Sequence, residues 1–422
     1  MARALLAQFP SKGVQMNHLA RWFSSIFVAL LALMPLDLRA QSDPFPLLPG
    51  LEKQVTFWKR IFIEHSFSQL VFFDPEDMAT IYEVVEVGED NRTNEFIYGE
   101  RARIAAEKGV SIDRVYAQRG VREKTMEGLK RSGRYMAQMQ QIFRERGLPP
   151  EIAYLPMVES SFDINVRSYA GALGMWQFMP ATGRSFNLRV ERWIDERRDP
   201  IESTRAAAAY LKQAYEMLGS WPLAITSYNY GPTGMARASA EMGSTNLVDL
   251  IRDYNGSYWG FAPKNFYAEF LVAVEIGRNV EQYFPGLVFD SPIGVREHQL
   301  TGRTSVQALA AANGLSREQF LGWNPALIQT SWIPAGYRVK FPLDTSTAPI
   351  IEVTQYQPAP APSNFNAGKS PVKVVRHYVR PGETLSKIAE RYGASVQRIL
   401  QANGLRHANL VRVGSTLIIP RI

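Results

Sequence analysis

Residues 151–183 read EIAYLPMVESSFDINVRSYAGALGMWQFMPATG, and this stretch decides how the chain is interpreted. Pro149 and Pro150 precede it and favour the start of a new helix, because the first turn of a helix tolerates proline. A carboxyl group against an apolar wall has a raised pKa and stays protonated near neutral pH. Glu159 is therefore predicted to be a general acid, with a solvated Glu at a helix end as the alternative. The other residues of its helix are mostly apolar: Ile152, Ala153, Leu155, Met157 and Val158.

The segment after Glu159 favours a cleft that binds sugars. Three glycines, Gly171, Gly174 and Gly183, surround the apolar and aromatic residues 175–180 (MWQFMP), which include one amide. Residues 227–232 (SYNYGP) add hydroxyl and amide groups. An aromatic floor with a few polar groups suits sugar faces and N-acetyl groups. Both segments are also compatible with tight turns between helices.

Composition excludes several classes of protein. A chain of 422 residues predicts two to four domains, and 46% hydrophobic with 21% charged residues is ordinary for globular proteins. The chain has no Cys, which excludes disulfides, thiolate metal sites, a Cys nucleophile and a lipid anchor on Cys. Five widely spaced His residues argue against a His-based metal site. The net charge of +7 is too mild to indicate nucleic-acid binding.

The N-terminal sequence indicates that the protein is exported. A helical region is predicted after the export signal. Residues 23–34 form a mostly apolar stretch after Arg21, which is too short to span a membrane and typical of a secretory signal. We therefore predict a signal peptide over residues 1–40, with an uncleaved membrane anchor as the alternative. Residues 41–145 are predicted to be a helical packing region of unknown role, because apolar residues recur at near-helical spacing in their second half.

Two similar segments near the C-terminus form an internal repeat. Residues 305–310 (SVQALA) correspond to residues 384–389 (TLSKIA) at an offset of 79, and each copy ends in an apolar strand followed by proline. The repeat predicts two strand–helix–helix–strand modules, at 295–343 and 374–422. Between them, residues 344–373 are rich in Pro, Ala, Ser and Thr and are predicted to be a linker.

These motifs resemble two known families. Glu159-Ser160, residues 174–183 (GMWQFMPATG) and residues 228–232 (YNYGP) resemble the three signatures of the soluble-type lytic transglycosylase domain, in that family's order. The repeat resembles the LysM peptidoglycan-binding module. The resemblance implies an α+β, mostly α fold: a lysozyme-like helical catalytic domain over residues 146–290, with small βααβ modules after it. The copy at 295–343 is the more degenerate and is predicted to be a packing module.

The resemblance also implies roles for individual residues. Glu159 corresponds to the family's catalytic glutamate, and Ser168 to a serine that hydrogen-bonds it. The family often has a further glutamate, and Glu269 is the nearest equivalent, although the residues around it depart from the family's pattern. The residues implied to line the sugar cleft are Gln177, Met179, Tyr228 and Asn229, and those implied to bind glycan in the last module are Gly382, Thr384, Leu385 and Asn403.

The implied activity is non-hydrolytic cleavage of peptidoglycan between N-acetylmuramic acid and N-acetylglucosamine. In this scheme Glu159 acts first as acid and then as base, a 1,6-anhydro ring closes on the muramyl residue, and neither a metal nor a cofactor is needed. Two alternatives stay open: a hydrolytic muramidase on the same fold, and a murein-binding scaffold without activity. The predicted role is cell wall remodelling or turnover.

The predicted partner and location follow from the same resemblance. The partner is the glycan strand of peptidoglycan, with no nucleic acid. The predicted location is the periplasm or cell envelope, and the chain has no Cys that could carry a lipid anchor. A peripheral association with the membrane stays open.

Overall fold

A computed structural model describes residues 43–87, 93–328, 330–343, 349–353, 374–380, 383–403, 405 and 414–420. The described residues up to 353 form one compact unit, and those from 374 onward form a second. The predicted signal at 1–40 and most of the predicted linker at 344–373 lie outside these ranges. Within them, no helix is both long enough and apolar enough to cross a membrane.

The fold is α+β and mostly helical, as predicted. The helices of the first unit are α1 Glu52–Ile63, α2 Asn94–Lys108, α3 Arg122–Ser132, α4 Met136–Glu145, α5 Leu155–Ser160, α6 Pro180–Ser185, α7 Pro200–Leu218, α8 Trp221–Tyr230, α9 Pro232–Met242, α10 Leu247–Asp253, α11 Phe261–Arg278, α12 Val280–Tyr283, α13 Val306–Ala312 and α14 Arg317–Trp323. Its strands are β1 Gln69–Phe73, β2 Ile81–Glu86, β3 Tyr116–Arg119, β4 Val295–Gln299, β5 Thr304–Ser305, β6 Trp332–Ile333 and β7 Arg338–Pro342. The second unit contains β8 Val374–Tyr378, α15 Leu385–Tyr392, α16 Val396–Ala402 and β9 Thr416–Pro420.

The N-terminal region departs from the helical prediction, because it contains a three-stranded antiparallel sheet in the order β2-β1-β3. The central strand β1 has the sequence QLVFF, which is buried on both faces. Leu70 and Phe72 pack into a small core that includes residues of α2, whereas Val71 and Phe73 pack into the main core. Alternation along a strand sends successive side chains to opposite faces, so this short apolar run serves two cores.

The N-terminal region shares its main core with the helices that follow and is not a separate body. The indole Nε1 of Trp58 on α1 donates to Asn265 Oδ1 on α11 over 2.9 Å. Lys59 and Glu275 form an ion pair of 2.6 Å between the same two helices. The main hydrophobic core accordingly runs from Phe45 to Phe284.

The first module of the repeat has the predicted strand–helix–helix–strand order, with β4 paired to β7 and a small additional pair, β5 and β6. It packs against the helical region through buried polar contacts. Lys340 Nζ on β7 lies 2.5 Å from Asp199 Oδ2, and both side chains are buried. Asp199 also caps α7, because its side chain accepts the N–H groups of Ile201 and Glu202. The buried ion pair favours a packing role for this module.

Glu352, inside the predicted linker, binds back to the first module. Its carboxylate accepts the N–H groups of Thr301 and Gly302 at 2.8 and 2.9 Å and lies 3.2 Å from Nε2 of His298. In the last module, Glu383 makes the equivalent contacts from within its own loop, to the N–H of Arg380 and to Nε2 of His377. His298 and His377 are 79 residues apart, as are Thr301 and Arg380. The segment after the first module therefore supplies a carboxylate that the loop of that module lacks.

Candidate active site

Glu159 lies in the last turn of α5 and lines a cavity of about 550 Å³. One wall is α5 itself, with Met157 and Val158. A second wall is α11, with Phe261 and Glu269, and the loop after α5 adds Asp163 and Val166. The N-terminal region contributes a further wall, made of Trp58, Phe62, Gln118, Val121, Lys124, Thr125 and Arg131.

Two carboxyl groups in this cavity have raised pKa values. Burial raises the pKa of Glu159 to about 8. Burial, and in addition the neighbouring Glu159, raise the pKa of Glu269 to about 8 as well. Both groups are therefore mostly protonated at pH 7, which is the state that a general acid requires. The cavity thus holds two neutral carboxylic acids near neutral pH.

An aromatic cluster packs beside Glu159. The ring centre of Tyr228 lies 5.1 Å from that of Tyr210 and 6.1 Å from that of Phe178. Its hydroxyl donates to the backbone carbonyl of Trp176 over 2.7 Å, which joins α8 to the segment at 175–180. Burial and the proximity of Glu159 raise the pKa of Tyr228 well above its usual value, so the phenol stays neutral.

Arg197 and Gly174 hold the glycine-rich loop after α5 in place. Gly174 has a φ of +82°, and a Cβ there would lie 1.8 Å from the carbonyl oxygen of Arg197. The buried Arg197 donates to the carbonyls of Gly171 and Phe178 at 2.9 Å each and pairs with Asp195 at 2.7 Å. Only glycine fits at position 174, since its φ is unfavourable for other residues and its Cα approaches another backbone closely.

Two family models match parts of the chain. A family model described as the transglycosylase SLT domain matches residues 138–259, and a LysM domain model matches residues 377–420. The chain contains an SLT domain and a LysM domain. The matched residues include Glu159, the glycine-rich loop and Tyr228 within the SLT domain, and all of α15 and α16 within the LysM domain.

Several named proteins are similar to the chain. The membrane-bound lytic murein transglycosylase D of Escherichia coli (strain K12) is 28% identical over 283 residues, which cover 65% of this chain and 61% of that protein. The chain thus spans less than two thirds of the length of this relative. A putative tributyltin chloride resistance protein of Alteromonas sp. (strain M-1) is 37% identical over 95 residues, covering 22% of this chain and 46% of that protein. The crystal structure of the 70 kDa soluble lytic transglycosylase of Escherichia coli aligns with 36% of this chain and 25% of its own, at 19% identity and a TM-score of 0.30.

The fold brings together some of the predicted site residues, including Glu269, which lies beyond the SLT match at 138–259, and gives others different contacts. Glu159, Tyr228 and Glu269 lie close enough to interact electrostatically. The hydroxyl of Ser168 instead accepts the N–H of Ala172 at 3.0 Å, and within the described ranges no hydrogen bond joins it to Glu159. The hydrogen bond between these two residues stays a prediction, because accepting the N–H of Ala172 leaves the hydroxyl proton of Ser168 free to donate.

Three other predicted cleft residues lie in the glycine-rich loop, just before α6 and near the end of α8. The side-chain amide of Gln177 donates to the carbonyls of Val166 and Gly174, so it braces the glycine-rich loop. Met179 is 41% exposed just before α6. Asn229 is exposed near the end of α8. Their roles toward a sugar stay predictions, as does the catalytic role of Glu159.

In the described part of the chain, no group of three or more His, Asp or Glu is arranged to hold a metal ion.

Arg131 is a residue of this site that the sequence did not reveal. The turn after Glu159 contains Ser161 and Phe162, with φ values of 51° and 58°. Nε and Nη2 of Arg131 on α3 both donate to the carbonyl of Ser161, at 3.0 and 2.8 Å. The same helix approaches α5 closely, because a Cβ on Gly128 would lie 2.9 Å from the Met157 sulfur. The N-terminal region therefore holds the strained turn that ends the helix of Glu159.

In the LysM domain two of the predicted glycan-binding residues have contacts within the module, and their role toward a glycan stays a prediction. Leu385 is only 3% exposed and belongs to the core of the module. The side chain of Asn403 makes three hydrogen bonds to the backbone, at Ile399 and Ile418, and so ties α16 to β9. Thr384 is exposed but caps α15 with its hydroxyl. Gly382 lies outside the described residues. The repeat pattern at these positions reflects folding of the module, since Asn324 makes the same kinds of bond in the first copy.

Proposed function

We propose that the chain is a lytic transglycosylase that cleaves peptidoglycan glycan strands between N-acetylmuramic acid and N-acetylglucosamine and leaves 1,6-anhydro ends. The observation that carries the proposal is the protonated Glu159 in an open cavity beside an aromatic cluster. The SLT domain and the name of the Escherichia coli relative, a lytic murein transglycosylase, support the same reaction.

In the first step, the carboxyl of Glu159 donates its proton to the glycosidic oxygen, and the bond between that oxygen and the muramyl C1 breaks. The acetamide of the substrate stabilises the cationic centre at C1. The carboxylate of Glu159 then takes the proton of the muramyl 6-hydroxyl as that oxygen bonds to C1. A pKa of about 8 suits both steps, because the group is protonated at pH 7 and becomes a base strong enough to regain its proton. No water is consumed.

A hydrolytic muramidase is the second candidate, and Glu269 is the observation that favours it. Glycoside hydrolysis usually employs two carboxyl groups across the scissile bond, and Glu269 and Asp163 are further carboxyl groups in the cavity of Glu159. A base that activates water must be ionised, however. With a pKa of about 8, only about a tenth of Glu269 is ionised at pH 7. The electrostatics of Glu269 therefore favour the scheme with one working carboxyl group.

We propose further that the LysM domain binds the same glycan and that the protein works in the periplasm or cell envelope, in remodelling or turnover of the wall. The LysM match and the murein named for the relative support these proposals. The domain boundaries at 146–290, 295–343 and 374–422 are part of the same proposal, and so is the linker at 344–373.

Product analysis distinguishes the three candidates. Purified peptidoglycan is incubated with the chain from residue 41 onward, and the released fragments are weighed by mass spectrometry. A transglycosylase releases muropeptides one water lighter than reducing-end products, and the Glu159→Gln variant releases none. Fragments with ordinary reducing ends would identify a muramidase. Binding to the peptidoglycan with no release by the parent chain would leave only a murein-binding scaffold.

The contact of Arg131 predicts a positioning effect on this reaction. Arg131→Gln is expected to lower kcat by roughly 10- to 100-fold with little change in KM, because a shift of about 1 Å at a reacting group has effects of this size. Arg131→Lys should recover part of the loss, since one donor to the Ser161 carbonyl remains possible. Lys130→Gln, at the neighbouring position of α3, is the control and should match the parent. An equal loss in both glutamine variants would contradict the prediction.

A further inference from the structure

A second and larger cavity, of about 710 Å³, lies between the N-terminal region and the start of α11. The residues of its N-terminal wall precede both the SLT match and the LysM match, so neither match accounts for them. Its lining includes Asp113, Tyr116, Trp259, Gly260, Phe261 and Lys264.

The two cavities are neighbouring compartments that share two walls. On β3, Tyr116 lines the second cavity and Gln118 lines the cavity of Glu159. Residues two apart on a strand point to the same face and lie about 7 Å from each other. On α11, Lys264 and Glu269 line the second and first cavities, and five residues of helix rise by about 7.5 Å. Phe261 lines both, with its ring centre 5.4 Å from that of Tyr116.

The second cavity has the groups that bind sugars. Tyr116 is 37% exposed, so part of its ring is open to a ligand. Lys264 forms no ion pair within the described ranges, and the same holds for the carboxylate of Asp113. Burial lowers the pKa of Lys264, which is consistent with a cation that lacks a partner. An aromatic face with a few charged hydrogen-bonding groups is the usual composition of a sugar site.

We infer that the second cavity binds the sugar units of the same glycan that lie beyond Phe261, so that the chain grips a longer stretch of strand than the cavity of Glu159 holds. This inference rests on the proposed function, because it assumes that the glycan occupies the cavity of Glu159. It gives the N-terminal region a binding role, with Tyr116 and Asp113 on one side and Lys264 on the other.

A side chain that fills the second cavity tests the inference. Gly260 lines it, has a φ of −100° that other residues adopt, and would place a Cβ with no atom within 4 Å. Gly260→Trp should therefore fold and occupy the cavity. Gly99→Trp is the matched control, because Gly99 is exposed on α2 and equally free of neighbours. Lys264→Gln is a second variant that removes the charge without adding bulk.

The readout is the ratio of kcat/KM for long peptide-free murein glycans to that for short ones. Gly260→Trp is expected to lower this ratio at least tenfold, Lys264→Gln to lower it less, and Gly99→Trp to leave it as in the parent. The same ratio in all four proteins would overturn the inference, as would an equal loss of activity on both lengths.

Failure of the proposed function would look different, since the parent chain would then release no product from either length. Binding of the long glycans, measured by calorimetry, still decides in that case. Weaker binding by Gly260→Trp than by Gly99→Trp supports the second cavity as a glycan site, and equal binding refutes it.

Discussion

Glu159→Gln is expected to lower turnover by about 10²- to 10⁴-fold while making the folded chain more stable than the parent above pH 7. The loss of turnover follows because the amide cannot donate or regain the proton, and general acid–base catalysis contributes rate factors of that size. The gain in stability follows because glutamine resembles the neutral acid in shape and never ionises in the apolar cavity.

The sign of the pH effect follows from the direction of the pKa shift. The pKa of Glu159 rises from 4.5, the ordinary value, to about 8 in the folded chain. The folded state therefore holds the proton more tightly than the unfolded state, and this contribution to stability is complete below pH 4.5. It is lost progressively as the pH rises to 8, by an amount on the order of a few kcal/mol. The glutamine in Glu159→Gln does not ionise. The unfolding free energies of the parent and of Glu159→Gln therefore diverge between pH 4.5 and 8.

The measurement is urea unfolding of both proteins at several values between pH 5 and 8, together with turnover at each pH. Glu151→Gln is the control, because Glu151 pairs with Arg278 near the surface and does not line the cavity. Turnover of the parent should fall above pH 8, as Glu159 loses its proton. A parent whose stability relative to Glu159→Gln does not change with pH, or a variant that retains a tenth of the activity, would contradict the assignment.

Lys340→Met is expected to lower the free energy of unfolding by about 3 to 5 kcal/mol, because it removes one partner of a buried ion pair. Burial lowers the pKa of Lys340, but the carboxylates of Asp199 and Glu202 raise it more, so the lysine stays charged. Without it, Asp199 keeps its bonds to the first turn of α7 but has a buried oxygen with no cation beside it. We expect the packing of the first module against α7 to be destabilised.

Arg338→Met on the same strand is the matched control. Arg338 pairs with Glu202 and Glu297 at 3.3 and 3.6 Å, but its side chain is half exposed. Such pairs contribute about 0–1 kcal/mol. Thermal and urea unfolding of the full chain compare the two variants, with the signal of the first transition as the readout. Equal small losses would show that the Lys340 pair is not a stabilising contact between module and helices.

The segment of the candidate site could be predicted from sequence because its determinants are local. Glu159 ends a short apolar helix, and Gly174 occupies a position that only glycine fits. Each of these depends on residues within a few positions. The surrounding wall could not be predicted this way, because Arg131 and Gln118 meet Glu159 only through the tertiary fold, and neither belongs to a recognisable motif.

The repeat illustrates a different limit. Matching positions such as Leu385 and Asn403 stand out in the sequence because the module needs them to fold. Leu385 fills the core, and Asn403 joins a helix to a strand. Positions shared by the two copies of the repeat are therefore mainly those that the common fold requires. Exposed residues that contact a ligand are harder to recognise from such a pattern. Ser168 is a similar case. Its position matches a serine of the family that the chain resembles, while its hydroxyl accepts the N–H of Ala172 within its own turn.

The carboxylate of Glu352 affects how shortened forms of this protein should be designed. A chain cut at residue 343, where the sequence pattern predicts the end of the first module, would lack the acceptor for two backbone N–H groups and the partner of His298. Loss of function in such a chain would then reflect damage to the first module and would be mistaken for loss of the LysM domain. Removal of the LysM domain alone requires a cut after residue 353.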